Sequence, residues 1–349
     1  MKIGITGGHS ELLYDMIKLF TRLGHEVVSI GGMPDHKRDQ LENCSHKRHI
    51  HEIIEKEILK YIDKFDDNHP PYITGNPERG QPSIYDWMVD VGLEDAIREM
   101  SEGIDMFYGY IPRYVGVYYK HKPMIWQFIG GEHGTYRDAA RMICAEGGRV
   151  VCHSENNAYL LNNEFPTIHF YKDPDEWCGW NGDVESVFYV ANALSFRSEA
   201  CHMETFLKTR IDNKWFLGGS QNDDYGPRAK EYPYDEYKQM MRDCRIFYNL
   251  GTAPVPYTLS PIEAAMTGMP VLTDMYIHSP VNVLPQYQLP ELLGEGCLIT
   301  NNKIKIRALL KTKWGLKRMS GKARDNAIHH FGIENVSKKW NNLLNGMKI

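Results

Sequence analysis

The chain has 349 residues, 42% of them hydrophobic and 24% charged, with a formal net charge of −5. That length suits two domains, each able to bury its own core, and the composition is that of a soluble globular protein. The negative balance argues against wholesale nucleic-acid binding, and no uncharged apolar run reaches the roughly 18 residues of a membrane span.

Met1-Lys2-Ile3-Gly4-Ile5-Thr6 opens directly into a strand pattern, without the apolar core of a signal peptide. The seven cysteines are scattered and contain no C-x-x-C pair, which fits free thiols in a reducing compartment. A cytoplasmic protein is the expectation.

In chain order, Ile3 to Thr6 reads as a buried strand, followed by Gly7-Gly8 and a helix from about Glu11 to Leu23. Leu12, Leu13, Met16, Leu19 and Phe20 share one side of that helix. Gly24 ends it, and Glu26 to Ile30 is the next strand, which makes a βαβ opening and implies a parallel sheet. Met106–Tyr110, Met124–Phe128 and Arg149–His153 are further strands, and Asp66 to Pro82 reads as an exposed loop. Asp173 to Asp183, with Pro174, Gly179 and Gly182, reads as a crossing between domains.

The alternation then restarts. Strands are expected at Val187–Val190, Lys214–Gly219, Arg245–Leu250 and Gly296–Ile299, and helices at Glu199–Thr209 and Tyr234–Arg242. Two successive parallel units of similar size imply two Rossmann-like α/β domains, and facing each other they would make a cleft. The expected layout is residues 1–175, residues 184–325, and a terminal helix over 326–349 that folds back on the first domain.

The most informative stretch runs from Tyr257 to Thr273, a loop, a short helix, a glycine stop and a buried strand. Ser260 suits the cap position and Pro261 the first helical position. A helix start offers free N–H groups and the positive end of a dipole, a ready site for phosphate. Ser260-x-x-Glu263 has the spacing of a capping box as well, in which the glutamate only bonds back to the cap residue.

This stretch resembles the donor-binding motif of the retaining nucleotide-sugar glycosyltransferases with the GT-B fold (glycosyltransferase family 4, group 1-like). The resemblance implies that Glu263 accepts hydrogen bonds from the donor ribose, while amides at Thr258, Leu259 and Ser260 bind the diphosphate. The family's earlier acidic residue falls on Val255, so the carboxylate that contacts the donor sugar is missing. Val187 to Arg197 resembles the family's first donor-domain strand and loop, which supplies an arginine and a lysine to the diphosphate. Asn192 takes the arginine position and Arg197 the lysine position.

Arg197 also has a physical case of its own. A guanidinium after a strand end suits phosphate oxygens and offsets charge on a departing diphosphate. An ordinary surface arginine would look the same.

Gly7 and Gly8 could let amides approach a diphosphate, or simply form a tight turn. Gly130, Gly131, Glu132 and His133 follow a strand where the family's acceptor domain offers a histidine or its neighbours to the sugar. Gly219 and Tyr234 fall where the family cradles and stacks the base, although a tyrosine-rich turn also explains the latter.

Cys44, His46, His49 and His51 share their run with Lys47 and Arg48 and lack a second ligand cluster, so a solvated, partly helical segment is expected there and no metal. Lys303 to Arg324 holds nine basic residues and no acidic one. Such a run is a solvated helix face, or a surface for DNA or an anionic membrane.

The sequence therefore points to a metal-independent glycosyltransferase with no cofactor beyond its nucleotide-sugar co-substrate. It would move a sugar to an acceptor hydroxyl with retention, through Arg197, Glu263 and His133. The acceptor could be a glycan, a small molecule or a modified base in DNA. A nucleotide-sugar epimerase on the same fold, or a non-catalytic nucleotide-sugar-binding protein, are the alternatives.

Overall fold

Strands β1 (Lys2–Thr6), β2 (Glu26–Ile30), β3 (Cys44–His46), β4 (Met106–Gly109), β5 (Met124–Phe128) and β6 (Arg149–Cys152) form a parallel sheet in the order β3-β2-β1-β4-β5-β6. The second sheet contains β7 (Val184–Val190), β8 (Trp215–Gly218), β9 (Ala229–Lys230), β10 (Cys244–Asn249), β11 (Val271–Thr273) and β12 (Cys297–Ile299). Its order is β12-β11-β10-β7-β8-β9, again all parallel. Counted from its own first strand, this is the order of the first sheet. Both are Rossmann-like, with a switch point beside the first strand where successive connections leave in opposite directions. The computed structural model describes the chain except residues 8–9, 31–43, 47, 66–72, 77–78, 130–132, 253–254, 256, 275–288 and 348–349, and except the side chains of 10, 44–46, 48–49, 133–135 and 160.

The chain divides into one unit of Met1–His169 with Ser337–Ile349, and another of Phe170–Val336. In the first, α1 (Ser10–Arg22), α2 (Arg48–Phe65), α3 (Ile84–Asp90), α4 (Glu94–Ser101), α5 (Pro112–Tyr118), α6 (His133–Ala145) and α7 (Glu155–Leu160) accompany the sheet. In the second are α8 (Met203–Thr209), α9 (Tyr234–Asp243), α10 (Leu259–Thr267), α11 (Leu289–Leu293), α12 (Lys303–Lys311) and α13 (Lys313–Phe331). The last helix, α14 (Ile333–Asn345), begins in the second unit and continues in the first.

A parallel sheet covered on both faces demands near-continuous apolar strands. Every residue of β4 and of β5 is buried accordingly. The polar exception, Gln127, is satisfied by the Tyr108 hydroxyl and by the Ile168 carbonyl at 2.9 Å. α1 buries Leu12, Leu13, Met16, Leu19 and Phe20, the side expected from the 3.6-residue period, together with Ile17. Trp340 of α14 is fully buried, edge-on to Phe20 at 5.2 Å and to Tyr108 at 5.7 Å. This aromatic group ties the C-terminal residues into the first unit.

Three readings need correction. The polar segment at Cys44–His46 is a strand, pairing with β2 at the sheet edge, where one unpaired side makes polar residues tolerable. His133 does not lie in a loop but opens a helix. Residues 173–183 belong to the second unit and are packed there: Trp177 is buried, and the Trp180 Nε1 donates to the Cys244 carbonyl at 2.8 Å.

Candidate functional site

In the second unit, β7 and β10 are adjacent, and the loops leaving their carboxyl ends begin at Ala191 and Leu250. Asn192 and Arg197 lie on the first loop. Thr258 and α10 follow the second. The topology thus brings the sequence-derived candidates of this half to the switch point of one sheet.

Arg197 is exposed and makes no ion pair among the described residues. Asn192 is already engaged, because its Oδ1 accepts from the Ser220 amide at 3.0 Å. Asn222 reinforces this link: its Nδ2 donates to the Ala191 carbonyl at 2.6 Å and to the Gly219 carbonyl at 3.1 Å, while its Oδ1 accepts from the Leu194 amide at 3.0 Å. Gly219 is required here. Its φ is +123°, and a Cβ would sit 2.2 Å from the Ala191 carbonyl oxygen. The loops after β7 and β8 are therefore locked together by Asn192, Gly219 and Asn222, and Arg197 projects from a fixed base.

The start of α10 differs from the expected cap. Thr258 occupies the cap position without a side-chain cap bond, and Leu259, Ser260 and Pro261 are already helical. The capping box therefore does not form. Thr258, Leu259 and Ser260 are half-buried, and the amides of a first helical turn have no partners within the helix. Gly268, with φ +95°, closes the far end as expected.

Glu263 points to neither a cap nor bulk water. It is 3% exposed, with Lys172 Nζ at 2.5 Å from Oε1 and the Tyr237 hydroxyl donating to Oε2 at 2.8 Å. Burial and the neighbouring carboxylate push the Tyr237 phenol well above its usual range, so it stays a donor. Ser260 bonds to the same phenol. Lys172 and Tyr237 were not singled out from sequence. A lysine inside the apolar run Phe170-Tyr171-Lys172 was the available signal, since a cation there must be paired.

Other candidates are used differently. Tyr234 donates to Glu176 Oε1 at 2.6 Å, Lys238 Nζ lies 4.3 Å over its ring, and Trp177 meets it edge-on at 6.0 Å. One face of its ring thereby carries a cation and its hydroxyl is engaged. At Gly7 a Cβ would meet the Tyr110 ring at 2.4 Å, so the missing side chain makes room for a neighbouring aromatic. Gly8, Gly130, Gly131 and Glu132 lie outside the described residues, as does the His133 side chain. Val255 forms an isolated bridge with Thr252.

The basic run is divided between α12 and α13. Arg307 pairs with Asp212 at 2.9 Å, Lys313 with Asp183 at 2.5 Å and Arg318 with Glu295 at 2.9 Å. Arg324 turns inward and donates to the carbonyls of Trp177 at 2.7 Å, of Pro174 at 3.0 Å and of Met266, near the negative end of α10. Among the described residues no group of three or more His, Cys, Asp or Glu is placed to hold a metal ion. No described helix is long and apolar enough to cross a membrane.

Solved structures share this architecture along almost the whole chain. HepE of Anabaena, crystallised with UDP and glucose, is 12% identical, with 99% of each chain covered and a TM-score of 0.60. TarM is 12% identical over 99% of each chain, at a TM-score of 0.58. A glycosyltransferase from Rickettsia africae is 12% identical over 99% of this chain and 98% of its own, at 0.59. The chain has the GT-B fold. No family model and no curated protein matches the sequence. Within a GT-B fold, the edge holding Arg197 and the start of α10 is the carboxyl edge of the second Rossmann-like unit.

Proposed function

We propose that the protein is a glycosyltransferase that takes a sugar from a nucleotide-sugar and delivers it to an acceptor hydroxyl with retention. The observation that carries this reading is an exposed Arg197, without an ion pair among the described residues, on a braced loop at the same switch point as the half-buried start of α10. The guanidinium and the first-turn amides are both donors suited to a diphosphate. As the bond from the anomeric carbon to the phosphate oxygen breaks, negative charge grows on the leaving diphosphate, and these groups stabilise it in place of a metal.

The acceptor oxygen forms its new bond on the same face of the sugar, and its proton passes to the departing phosphate oxygen. No side chain need act as nucleophile, which accords with Val255 where a carboxylate would touch the sugar. Positioning and charge stabilisation are the protein's contribution. Acceptor binding is assigned to residues 130–133 under this proposal. HepE binds UDP and UDP-glucose, so UDP-glucose is the first donor to try.

A second reading draws on Asn192 and Val255. With Asn192 where the family has an arginine, its Oδ1 accepting from the Ser220 amide, and no acid at 255, a nucleotide-sugar-binding protein without turnover would keep the same fold. Incubation with a panel of nucleotide-sugars, with and without oligosaccharide or duplex DNA acceptors, separates the outcomes. Acceptor-dependent release of nucleoside diphosphate supports transfer, and an isomerised donor would indicate an epimerase. Binding with no turnover would establish the second reading.

A further inference from the structure

We infer that Lys172 is a positioning residue for the nucleotide end of the donor, holding the Glu263 carboxylate in a fixed orientation as an acceptor for the ribose hydroxyls. The inference rests on the donor reading above. α10 is a core helix: Pro261, Ile262, Ala264, Ala265 and Met266 are all buried. An apolar residue at 263 would suit that surrounding. Instead the position holds an acid, and the chain supplies a cation for it from ninety-one residues away.

Such a pair is a poor device for stability, because desolvation offsets most of the attraction and a well-packed apolar pair does as well. It does fix which way the carboxylate oxygens point, because Oε1 is held at 2.5 Å by a buried ammonium. Lys172 is 1% exposed, and its ammonium also lies 5.4 Å from the centre of the Trp177 ring. Tyr237 cannot replace it, since a neutral phenol donates a hydrogen bond but does not offset a charge.

Each partner takes one oxygen of Glu263: Lys172 binds Oε1 and Tyr237 binds Oε2. A carboxylate offers about four lone-pair sites, so two remain for hydroxyl donors. Ionisation makes these strong acceptors. Without Lys172, Oε1 loses the cation that orients it, and the carboxylate is held by Tyr237 at Oε2 alone of these two partners.

The test compares binding of a nucleoside diphosphate (the tightest of UDP, GDP, ADP and dTDP) with binding of inorganic pyrophosphate, which has no ribose. Affinities and melting temperatures are measured for the wild type, Lys172→Met, Lys172→Arg, Glu263→Gln and the Lys172→Met/Glu263→Gln pair. Lys172→Met is expected to weaken the nucleoside diphosphate about tenfold, as for loss of one charged hydrogen bond, while leaving pyrophosphate within about twofold. Lys172→Arg should recover part of the loss, and the double variant should bind no worse than Glu263→Gln.

Wild-type affinity for the nucleotide in Lys172→Met, with only a lowered melting temperature, overturns the inference. An equal loss of both ligands does so too. Should Lys172→Met fail to fold, unchanged nucleotide affinity in Glu263→Gln is decisive against it. If the wild type binds neither ligand, the donor reading itself has failed, a result distinct from the others.

Discussion

The two sheets have one strand order and opposite furnishings at their switch points. In the first unit Gly7, at the carboxyl end of β1, packs against the Tyr110 ring. In the second, the carboxyl ends of β7 and β10 carry an exposed arginine and a half-buried helix start, over loops braced by Asn192, Gly219 and Asn222. Topology thus supplies equivalent places, and side chains decide what each of them presents. A lone glycine after a strand is ambiguous for this reason. At Gly7 it admits an aromatic ring, and at Gly219 it admits a neighbouring main chain.

That contrast can be broken at several points. The largest effect is expected from Trp340→Ala, which empties the aromatic group with Phe20 and Tyr108 and should cost about 3–5 kcal/mol in chemical denaturation. A smaller loss would mean that the C-terminal helix is not part of the first unit's core. Arg197→Ala is expected to lower turnover about 10²–10³-fold with an unchanged melting temperature, since an exposed donor is lost and no packing. Near-normal turnover removes Arg197 from the mechanism.

Gly7→Ala should destabilise by about 1–3 kcal/mol through overpacking on Tyr110, and Tyr110→Leu in the same chain should recover part of it. If Gly7→Ala instead leaves stability intact and abolishes donor binding, the first-unit glycine contacts ligand after all. At neutral pH the smallest effect concerns His153, whose contribution changes only in acid. Burial, opposed in part by its bond to the Phe128 carbonyl, lowers its pKa from 6.5 to about 3.

The unfolded chain therefore binds the extra proton first as pH falls. Stability from this group is complete above about pH 6.5 and drains away toward pH 3, by at most about 1.4 kcal/mol per pH unit. His153→Gln should flatten that part of the stability profile. An unchanged profile would show that His153 is already protonated in the fold, or does not matter to it.

Much of the architecture was legible in advance because parallel strands buried on both faces must be apolar throughout. Met124–Phe128 was read with its observed bounds, and Cys44–His46 was missed because an edge strand need not be apolar. The switch-point candidates could be named because glycine, proline and a following helix fix a local geometry. What each named residue touches was not legible. Ser260-x-x-Glu263 is a true capping-box spacing, yet the helix starts earlier, at Leu259, and the glutamate turns to a lysine far away in the chain. Tyr234 suited a base until Glu176 and Lys238 took its hydroxyl and its face.

The sequence by itself determined the alternation of strands and helices, the doubling into two α/β units and the loop that carries Arg197. These follow from periodicity and turn chemistry, which act over a few residues. Only the tertiary structure decided that Gly7 is occupied by Tyr110, that Asn192 serves the Ser220 amide, and that Glu263 is paired with Lys172 and Tyr237. Those outcomes depend on which distant groups must be satisfied once water has been excluded, and no local pattern encodes that choice.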